Sequence, residues 1–144
     1  MHVEGLLRAK GDAVQVIAAG ATVGELVTRL AQNRIGALVV SDDGRHVDGI
    51  VSERDIVASL AEHGPALLDH LVADIMTTEV VTCELKTTVD QLMELMTERR
   101  MRHVPVLVDG TLAGIVSIGD VVKDRIRDLE VETQTLHEYI NHGR

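Results

Sequence analysis

Two short motifs of the same residue types at the same spacing are the best candidates for chemistry in this sequence. Ser52-x-x-Asp55 and Ser117-x-x-Asp120 each place a hydroxyl three positions before a carboxylate, where a β-branched run gives way to a helical pattern. A serine N-cap with an acid three residues later is also an ordinary capping box, which is the purely structural interpretation. The functional interpretation is an anion site, because a helix N-terminus offers free amides and a favourable dipole. The serine would donate to a phosphate, and the aspartate would accept from vicinal ribose hydroxyls.

The two motifs belong to a duplicated unit. Residues 14–44 align with residues 80–110 at a constant shift of 66, and residues 49–60 align with residues 114–125 at a shift of 65. The alignment contains 14 identities over 43 positions, including the whole string Gly-Ile-Val-Ser-x-x-Asp. Because that string is longer than a helix cap requires, its presence in both copies favours the functional interpretation.

Each copy has the pattern of a β-α-β-β-α unit. Short β-branched runs at residues 14–17 and 80–82 predict the first strands. Capping boxes at Thr22 and Thr88 predict helices, because the apolar residues that follow recur every three and four positions. A middle and a return strand come next, joined at Asp-Gly pairs typical of hairpin turns, and a second helix follows each Ser-x-x-Asp. The middle and return strands are predicted at residues 37–40, 47–51, 104–108 and 112–116.

The sequence therefore predicts a mixed α/β (α+β) fold of two tandem repeats related by pseudo-two-fold symmetry, followed by a long C-terminal helix. We assign repeat 1 to residues 6–62, repeat 2 to residues 72–126 and the helical extension to residues 127–144. The last helix either lies on its own domain or forms the seam of a homodimer. We favour the dimer, because this helix is longer than the equivalent helix of the first copy and its narrow apolar stripe has the period of a coiled coil. The stripe consists of Val122, Ile126, Leu129, Thr133, Leu136 and Ile140.

Composition narrows the classes of function. The chain has no Trp, no Phe and one Tyr, Tyr139, so stacking of bases on aromatic side chains is excluded. A net charge of −9 repels nucleic acid and anionic membranes. The single cysteine, Cys83, cannot form an internal disulfide, and neither a signal-peptide pattern nor a membrane-length apolar run occurs. We therefore expect a cytoplasmic protein that binds neither nucleic acid nor membrane.

Other chemistry has weaker support. Seven His and one Cys show no metal-ligand spacing, so we expect no metal. Neither of the common glycine-rich phosphate-binding patterns occurs, and no nucleophile lies in a recognisable catalytic context. A nucleotide-converting enzyme is therefore the least favoured hypothesis, and we predict that the protein is not an enzyme.

The β-α-β-β-α unit that ends in Gly-apolar-apolar-Ser-x-x-Asp resembles the cystathionine β-synthase (CBS) domain, which occurs as tandem pairs. The resemblance covers nearly the whole chain, about residues 6–125. Because no enzyme domain is attached, the chain is similar to the stand-alone CBS-pair proteins of bacteria. It implies a disc-like module that dimerises and binds adenosine compounds in clefts between the repeats. In the family these are AMP, ADP, ATP and, in some members, NAD or S-adenosylmethionine.

The resemblance also implies roles for individual residues. Ser52 and Ser117 would contact phosphate, and Asp55 and Asp120 would hold ribose. The segments before the first strands would line the adenine by backbone contacts, and aliphatic residues of the middle strands would complete the pockets. The predicted nucleotide-binding residues are Lys10, Asp12, Val14, Ala37, Ser52, Arg54, Asp55, Thr78, Val80, Arg102, His103, Pro105, Ser117 and Asp120.

The two copies differ in charge. The first copy carries Arg54 inside its motif and Lys10 before its first strand, whereas the second has a basic run at residues 99–103 before its middle strand. That run is either a solvated helix end or a group that neutralises a phosphate, which arginine can bind bidentately. Val39 also stands where the second copy has Pro105. Grouping each basic segment with the motif of its own copy, we expect the second site to be closer to the family pattern.

These observations predict a regulatory module that senses adenine nucleotides and signals to an unknown partner protein by a ligand-dependent conformational change. The expected ligand is AMP or a related adenosine nucleotide, with NAD(H) as a further candidate. The alternative is a structural adaptor or dimerisation protein whose nucleotide clefts are vestigial.

Overall fold

The computed structural model describes residues 1–11 and 14–142. Strands and helices alternate in the order expected for two β-α-β-β-α units, with two additional short helical segments between the copies and one helix before the first. The elements are α1 Val3–Lys10, β1 Val16–Ile17, α2 Val23–Asn33, β2 Ala37–Val40, β3 Gly49–Ser52, α3 Glu53–His63, a 3-10 helix Gly64–Asp69, α4 Val72–Ile75, β4 Cys83–Glu84, α5 Val89–Arg99, β5 His103–Val108, β6 Thr111–Ser117 and α6 Ile118–His142.

The strands form two three-stranded sheets of the same topology, in the orders β1-β2-β3 and β4-β5-β6. In each sheet the first strand pairs in parallel with the middle strand, which pairs antiparallel with the return strand. A parallel neighbour needs a crossover connection, which α2 and α5 supply. The predicted fold class and the duplicated unit are thus confirmed.

The first strands differ from the sequence prediction. Strand β1 is only two residues long, and β4 lies at Cys83–Glu84 rather than at residues 80–82. Pairing with the middle strand fixes these positions, because Ile17 lies opposite Val40 and Cys83 lies opposite Val106. Ile17 and Cys83 are both buried. The β-branched run at residues 80–82 therefore precedes the strand, and it has a different role described below.

The two hairpins turn differently. Asp109 and Gly110 have φ angles of 52° and 78°, which is the backbone of a two-residue type I′ turn. The first hairpin has a longer loop, in which Asp43 Oδ1 accepts from the backbone N–H groups of Arg45 and His46 at 2.8 and 2.9 Å. Hydrogen bonds from the backbone and side chain of His46 hold the pKa of Asp43 far below its usual range. The loop is thus organised around one carboxylate.

The hydrophobic core consists of two clusters, one in each repeat. Helix α1, which precedes the first repeat, packs in the core of the second repeat, and α4, which precedes the second sheet, packs in the core of the first. Val3 and Leu6 of α1 pack with the second sheet and α5, and the N–H of Val3 donates to Thr87 O at 2.8 Å. Val72 of α4 packs with the first sheet and α2, and its N–H donates to Ala21 O at 2.8 Å. The two repeats are therefore interlocked by an exchange of α1 and α4.

The last helix extends well beyond the core. Helix α6 has 25 residues, whereas its counterpart α3 has 11. Val121 and Asp124 near its start are buried, but Leu129 and Leu136 in the apolar stripe are each 60% exposed. The helix therefore does not lie along its own domain, and most of the stripe is uncovered.

Candidate functional site

A cavity of about 460 Å³ opens between the two repeats. This volume is in the range of small-molecule binding sites. The first repeat contributes the start of β2 and the turn from β3 into α3, while the second contributes the segment before β4 and the turn from α5 into β5. The lining residues are Gly36, Ala37, Ile50, Ser52, Glu53, Arg54, Asp55, Thr77, Glu79, Val80, Val81, Arg99, Arg100, Met101, Arg102, His103 and Pro105.

Three acidic residues line this cavity, Glu53, Asp55 and Glu79, and the Asp55 carboxylate belongs to the first Ser-x-x-Asp turn. The backbone N–H of Ser52 donates to Asp55 Oδ2 at 2.8 Å, and the Ser52 hydroxyl donates to the same oxygen at 3.1 Å. These bonds belong to the cap of α3, so the purely structural interpretation of the motif accounts for them. They also orient the carboxylate at the cavity wall. Its other oxygen, Oδ1, accepts no hydrogen bond from the described residues, which leaves it available to a diol.

Four arginines surround the same cavity. Arg99 and Arg100 lie at the end of α5, Arg102 precedes β5, and Arg54 is in the first turn of α3. In the described part of the chain, none of the four lies within 4.0 Å of a carboxylate oxygen. Four guanidinium groups against three acidic side chains in the same lining, in a chain of net charge −9, give this cavity a local excess of positive charge that can bind an anion.

His103 lies where the two repeats meet. A Cβ atom on Gly36 would be 3.2 Å from His103 Cε1 and 3.1 Å from Glu53 Oε1, so a larger residue at this position would require the imidazole or the carboxylate to shift by a few tenths of an ångström. Burial and the nearby charge of Lys10 lower the pKa of His103, against the opposing effects of Glu53 and Asp120. The imidazole is therefore neutral at pH 7.

Much of the remaining wall of the cavity is aliphatic. Ile50 from β3 faces Val80, Val81 and Pro105 from the second repeat, and Met101 adds a thioether. Val80 and Val81, from the run that the sequence predicted as a strand, thus supply cavity wall. Without a Phe, Trp or Tyr side chain in the lining, a purine in this cavity would gain from burial of apolar surface, at about 25 cal/mol per Å².

The second Ser-x-x-Asp turn has the same internal bonds but a different neighbour. The N–H and the hydroxyl of Ser117 donate to Asp120 Oδ2 at 2.8 and 3.0 Å. Lys10 Nζ lies 2.9 Å from the same oxygen, and it donates to Ile115 O at 2.8 Å. Burial raises the pKa of Asp120, but the hydrogen bonds from Lys10 and Ser117 outweigh it, so the pKa lies below its ordinary value.

The structure corrects how the basic segments are paired with the motifs. From sequence we grouped residues 99–103 with the motif at Asp120, and Lys10 with the motif at Asp55. The structure shows the reverse, because residues 99–103 line the cavity of Asp55 and Lys10 contacts Asp120. The reason is that each turn faces the opposite repeat. A basic segment therefore serves the motif of the other copy.

The predicted binding residues fall into three groups. Lys10, Ser117 and Asp120 meet at the second turn. Thr78 is exposed and does not line the cavity, although both of its neighbours do, and Val14 is half-buried outside it. Asp12 lies outside the described residues. The predicted residues that line the cavity are Ala37, Ser52, Arg54, Asp55, Val80, Arg102, His103 and Pro105.

Nine lining residues lie outside the predicted set: Gly36, Ile50, Glu53, Thr77, Glu79, Val81, Arg99, Arg100 and Met101. Ile50 and Thr77 exchange two backbone hydrogen bonds of 2.9 Å, which attach the segment before β4 to the first sheet. One sequence pattern could have identified Ile50. Alternate residues of a strand share a face, so a site at Ser52 implies that Ile50 faces it as well.

Three further findings limit the chemistry. No helix in the described part of the chain is long and apolar enough to span a membrane. Residues 1–11 and 14–142 contain no cluster of three His, Cys, Asp or Glu side chains that could hold a metal ion. Burial raises the pKa of Cys83 to about 11, so this thiol is protonated at neutral pH.

Two interlocked β-α-β-β-α units with a cleft between them define a tandem CBS-domain pair. The sequence profile of the CBS domain matches residues 12–62 and 72–126. The chain therefore belongs to the CBS-domain family, whose paired members are generally regulatory.

Relatives with the same fold include bacterial and plant proteins. The CBS-domain containing protein ATU1752 from Agrobacterium tumefaciens is 47% identical, with a TM-score of 0.84 over 87% of this chain and 99% of that chain. The mitochondrial CBS domain-containing protein CBSX3 of Arabidopsis thaliana is 39% identical over 126 residues, which are 85% of this chain and 61% of CBSX3. The chain thus spans less than two thirds of CBSX3. A crystal structure of CBSX2 in complex with AMP, 22% identical, shares the fold with a TM-score of 0.73, over 88% of this chain and 97% of that one.

Proposed function

We propose that this protein is a regulatory module that binds an adenosine nucleotide in the cavity between its repeats. One observation carries the proposal: the Asp55 carboxylate, an aliphatic wall and four arginines that have no carboxylate partner among the described residues converge on one cavity of about 460 Å³. These are the groups that a ribose, a purine and a phosphate need, in one place. The AMP bound to CBSX2 supports this ligand class.

The cavity suggests how the nucleotide is held. The ribose hydroxyls donate to Asp55, and the purine lies between Ile50 and Val80, where backbone groups can select its edge. The phosphate lies against Arg102 and the other guanidinium groups, which neutralise it. Ser52 then turns its hydroxyl from Asp55 to the phosphate. Because both repeats contribute, the ligand favours one arrangement of the repeats over others, and this difference is what a partner protein senses.

Calorimetric titration of the purified protein tests the proposal. We expect AMP, ADP or ATP to bind, with NADH as a further candidate ligand and GMP as the control for the base. The protein has one Tyr and no Trp, so a co-purified nucleotide would dominate its ultraviolet absorbance near 260 nm and can be removed and identified first. If none of the adenosine nucleotides binds at millimolar concentration, the sensor function is wrong.

The uncovered stripe of α6 supports a second part of the proposal, a homodimer. Leu136 and Ile140 are 60% and 51% exposed on a helix that extends past its own domain, with a spacing that suits a partner helix. We expect a Leu136→Asp, Ile140→Asp variant to be monomeric by light scattering. Val131→Asp is the matched control, because Val131 is 58% exposed but lies off the stripe.

The adaptor hypothesis is the competing interpretation of the same helix. A protein that dimerises through α6 but binds no nucleotide would be an adaptor with vestigial clefts. We propose instead that the dimer carries the signal of a non-catalytic sensor. The free, buried thiol of Cys83 suits a reducing compartment such as the cytoplasm.

A further inference from the structure

The residue types along the apolar stripe of α6 indicate what kind of helix pair it fits. All six side chains of the stripe are exposed, and they alternate between the two seam positions of a heptad, a and d. Position a holds Ile126, Thr133 and Ile140, and position d holds Val122, Leu129 and Leu136. β-branched residues at a with leucine at d favour parallel pairs of two helices. One polar residue at a, here a threonine, fixes the register of such a pair.

The rest of the molecule packs on the other side of α6. Val121 belongs to the core of the second repeat, and Asp124 is also buried. In the same heptad register these two residues occupy positions c and f, which point away from the a/d seam. A second helix can therefore approach the stripe over its whole length. The bodies of the two copies then lie on the outer sides of the pair.

The charged residues beside the stripe favour one orientation of a second copy. In a parallel pair, position g of one helix lies beside position e of the next heptad in the other helix. Arg125 then faces Glu130 of the second copy, and Glu132 faces His137 of the second copy, whose imidazole can donate to the carboxylate. Arg125 also contacts Asp90 of α5, but its guanidinium has enough donors for both carboxylates. Both pairs are attractive.

An antiparallel pair brings like charges together instead. When the whole stripe overlaps in antiparallel order, position g faces g and position e faces e. Glu132 then faces Glu132 of the second copy, and Glu130 faces Glu130 of the second copy, which is repulsive. Thr133 also faces a leucine in that order, whereas in the parallel pair the two Thr133 hydroxyls share one layer and can bond to each other.

We propose that a second copy of this chain covers the stripe, and that the two α6 helices form a parallel, in-register coiled coil over residues 122–140. This inference rests on the proposed homodimer and specifies its geometry. Helix α6 begins at Ile118, directly after Ser117 ends β6, so the coiled coil is continuous with the second repeat. The second repeats of both copies therefore lie at the same end of the dimer. A partner protein meets both ligand cavities at that end.

Disulfide cross-linking of full-length variants measures the orientation. In the parallel pair the two copies of residue 140 meet. We therefore expect Ile140→Cys to form a covalent dimer about tenfold faster than Val131→Cys, whose side chains lie on the outer faces, beyond the reach of a disulfide. The unmodified protein controls for Cys83, which is buried. In an antiparallel pair residue 140 meets residue 122, so Ile140→Cys cross-links only when it is mixed with Val122→Cys. That result, or equal rates for Ile140→Cys and Val131→Cys, overturns the proposal.

A charge substitution gives a second measurement whose sign depends on the orientation. In the parallel pair Glu130→Gln removes two attractions to Arg125. We therefore expect the dissociation constant of the dimer, measured by analytical ultracentrifugation, to rise about two- to fivefold. In an antiparallel pair the same change removes a repulsion, and the dissociation constant falls. Glu138→Gln is the matched control, because Glu138 is exposed at position f and should leave the constant unchanged.

The outcomes separate this inference from the proposals on which it rests. A protein that is monomeric by light scattering refutes the homodimer, and the coiled coil with it. A dimer in which Ile140→Cys does not cross-link by itself, or which Glu130→Gln tightens, refutes the parallel orientation alone. Nucleotide binding is measured by calorimetry and is independent of both results, since the stripe and the cavity share no residue.

Discussion

At Ser52 and at Ser117 the backbone N–H donates to the aspartate three residues later at the same distance, 2.8 Å. The surroundings of the two turns share almost nothing. Four arginines line the cavity at Asp55, none with an acidic partner in residues 1–11 and 14–142, whereas a single lysine is bound directly to the carboxylate of Asp120. The hydrogen bonds inside each turn are explained by its role as a helix cap. The side chains that a ligand could contact beside the turn come mainly from the opposite repeat, and they differ between the two turns.

The asymmetry has a steric component at the meeting point of the repeats. His103 and Ala37 are equivalent positions, as are Arg102 and Gly36, so the second repeat carries the larger residue of each pair. A side chain on Gly36 would press on the imidazole of His103 and the carboxylate of Glu53. The imidazole of His103 therefore packs closely against Gly36 where the copies meet, and a larger residue at position 36 would have to displace it slightly.

Equivalent leucines test whether the two halves also differ in stability. Leu26 and Leu92 occupy the same position in the two cores, and both are 0% exposed. We expect Leu26→Ala and Leu92→Ala each to lower the free energy of unfolding by about 2–5 kcal/mol, because each leaves a cavity. Calorimetry should show a single transition for both variants, since α1 and α4 join the cores. Two resolved transitions would contradict the interlocked fold, and Leu136→Ala, on the exposed face of α6, is the control.

The two carboxylates should differ sharply in their effect on binding. Asp55→Asn keeps an oxygen for the helix cap but removes the charge that accepts from ribose. We expect it to weaken AMP binding in the cavity by about 10- to 100-fold, the range for a hydrogen bond to a charged group. Asp120→Asn should leave binding in the cavity unchanged in calorimetry. An equal loss in both variants would mean that the clefts are equivalent.

A matched pair of arginines isolates the phosphate contribution. Arg34 and Arg100 end equivalent helices with φ angles of 53° and 51°, but only Arg100 lines the cavity. We expect Arg100→Gln to weaken ATP binding about fivefold and to reduce its salt dependence, because one screened attraction is lost. Arg34→Gln should have no effect on the cavity. Adenosine affinity should be the same in both variants, and a loss there would place Arg100 against the nucleoside.

The smallest expected effect is the pH dependence of stability from His103. Its folded-state pKa lies below the ordinary value of 6.5, so below pH 6.5 the unfolded state binds more protons. Stability from this group is therefore complete above that value and is lost as the pH falls. We expect the Tm of the unmodified protein to fall relative to His103→Gln between pH 7.5 and pH 5.5. If the Tm of the two proteins changes in parallel with pH, the imidazole has the same pKa in the folded and unfolded states, and the prediction is wrong. The His137→Gln variant, altered on α6, is the control for the loss of one histidine.

Local features of the fold could be predicted because local bonds create them. The Thr88 hydroxyl accepts from the N–H of Gln91 at 3.1 Å, and Gln91 Oε1 accepts from the N–H of Thr88 at 3.0 Å, as their spacing indicates. Asp109-Gly110 likewise adopts the positive φ angles that its residue types favour. The first strands were harder to place, because their two residues are defined by the partner strand rather than by their own pattern.

The sequence of a single repeat could not show which residues face each Ser-x-x-Asp motif. Sequence comparison shows that Lys10 and Arg102 belong to different copies, but not that each faces the motif of the other copy. That information lies in how the two halves pack, and the packing depends on contacts between distant segments. The alternation of β3 is a partial exception, since Ile50 must share a face with Ser52.

The exchange of α1 and α4 has a consequence for synthesis on the ribosome. Helix α1 is translated before both repeats, yet Val3 and Leu6 pack on a sheet whose last strand ends at Ser117. The first core, in contrast, is complete once Val72 and its neighbours have emerged. The first repeat can therefore fold early, while α1 stays without its packing partners until the second repeat is made. Such a long-range closure is slow and exposes apolar surface meanwhile.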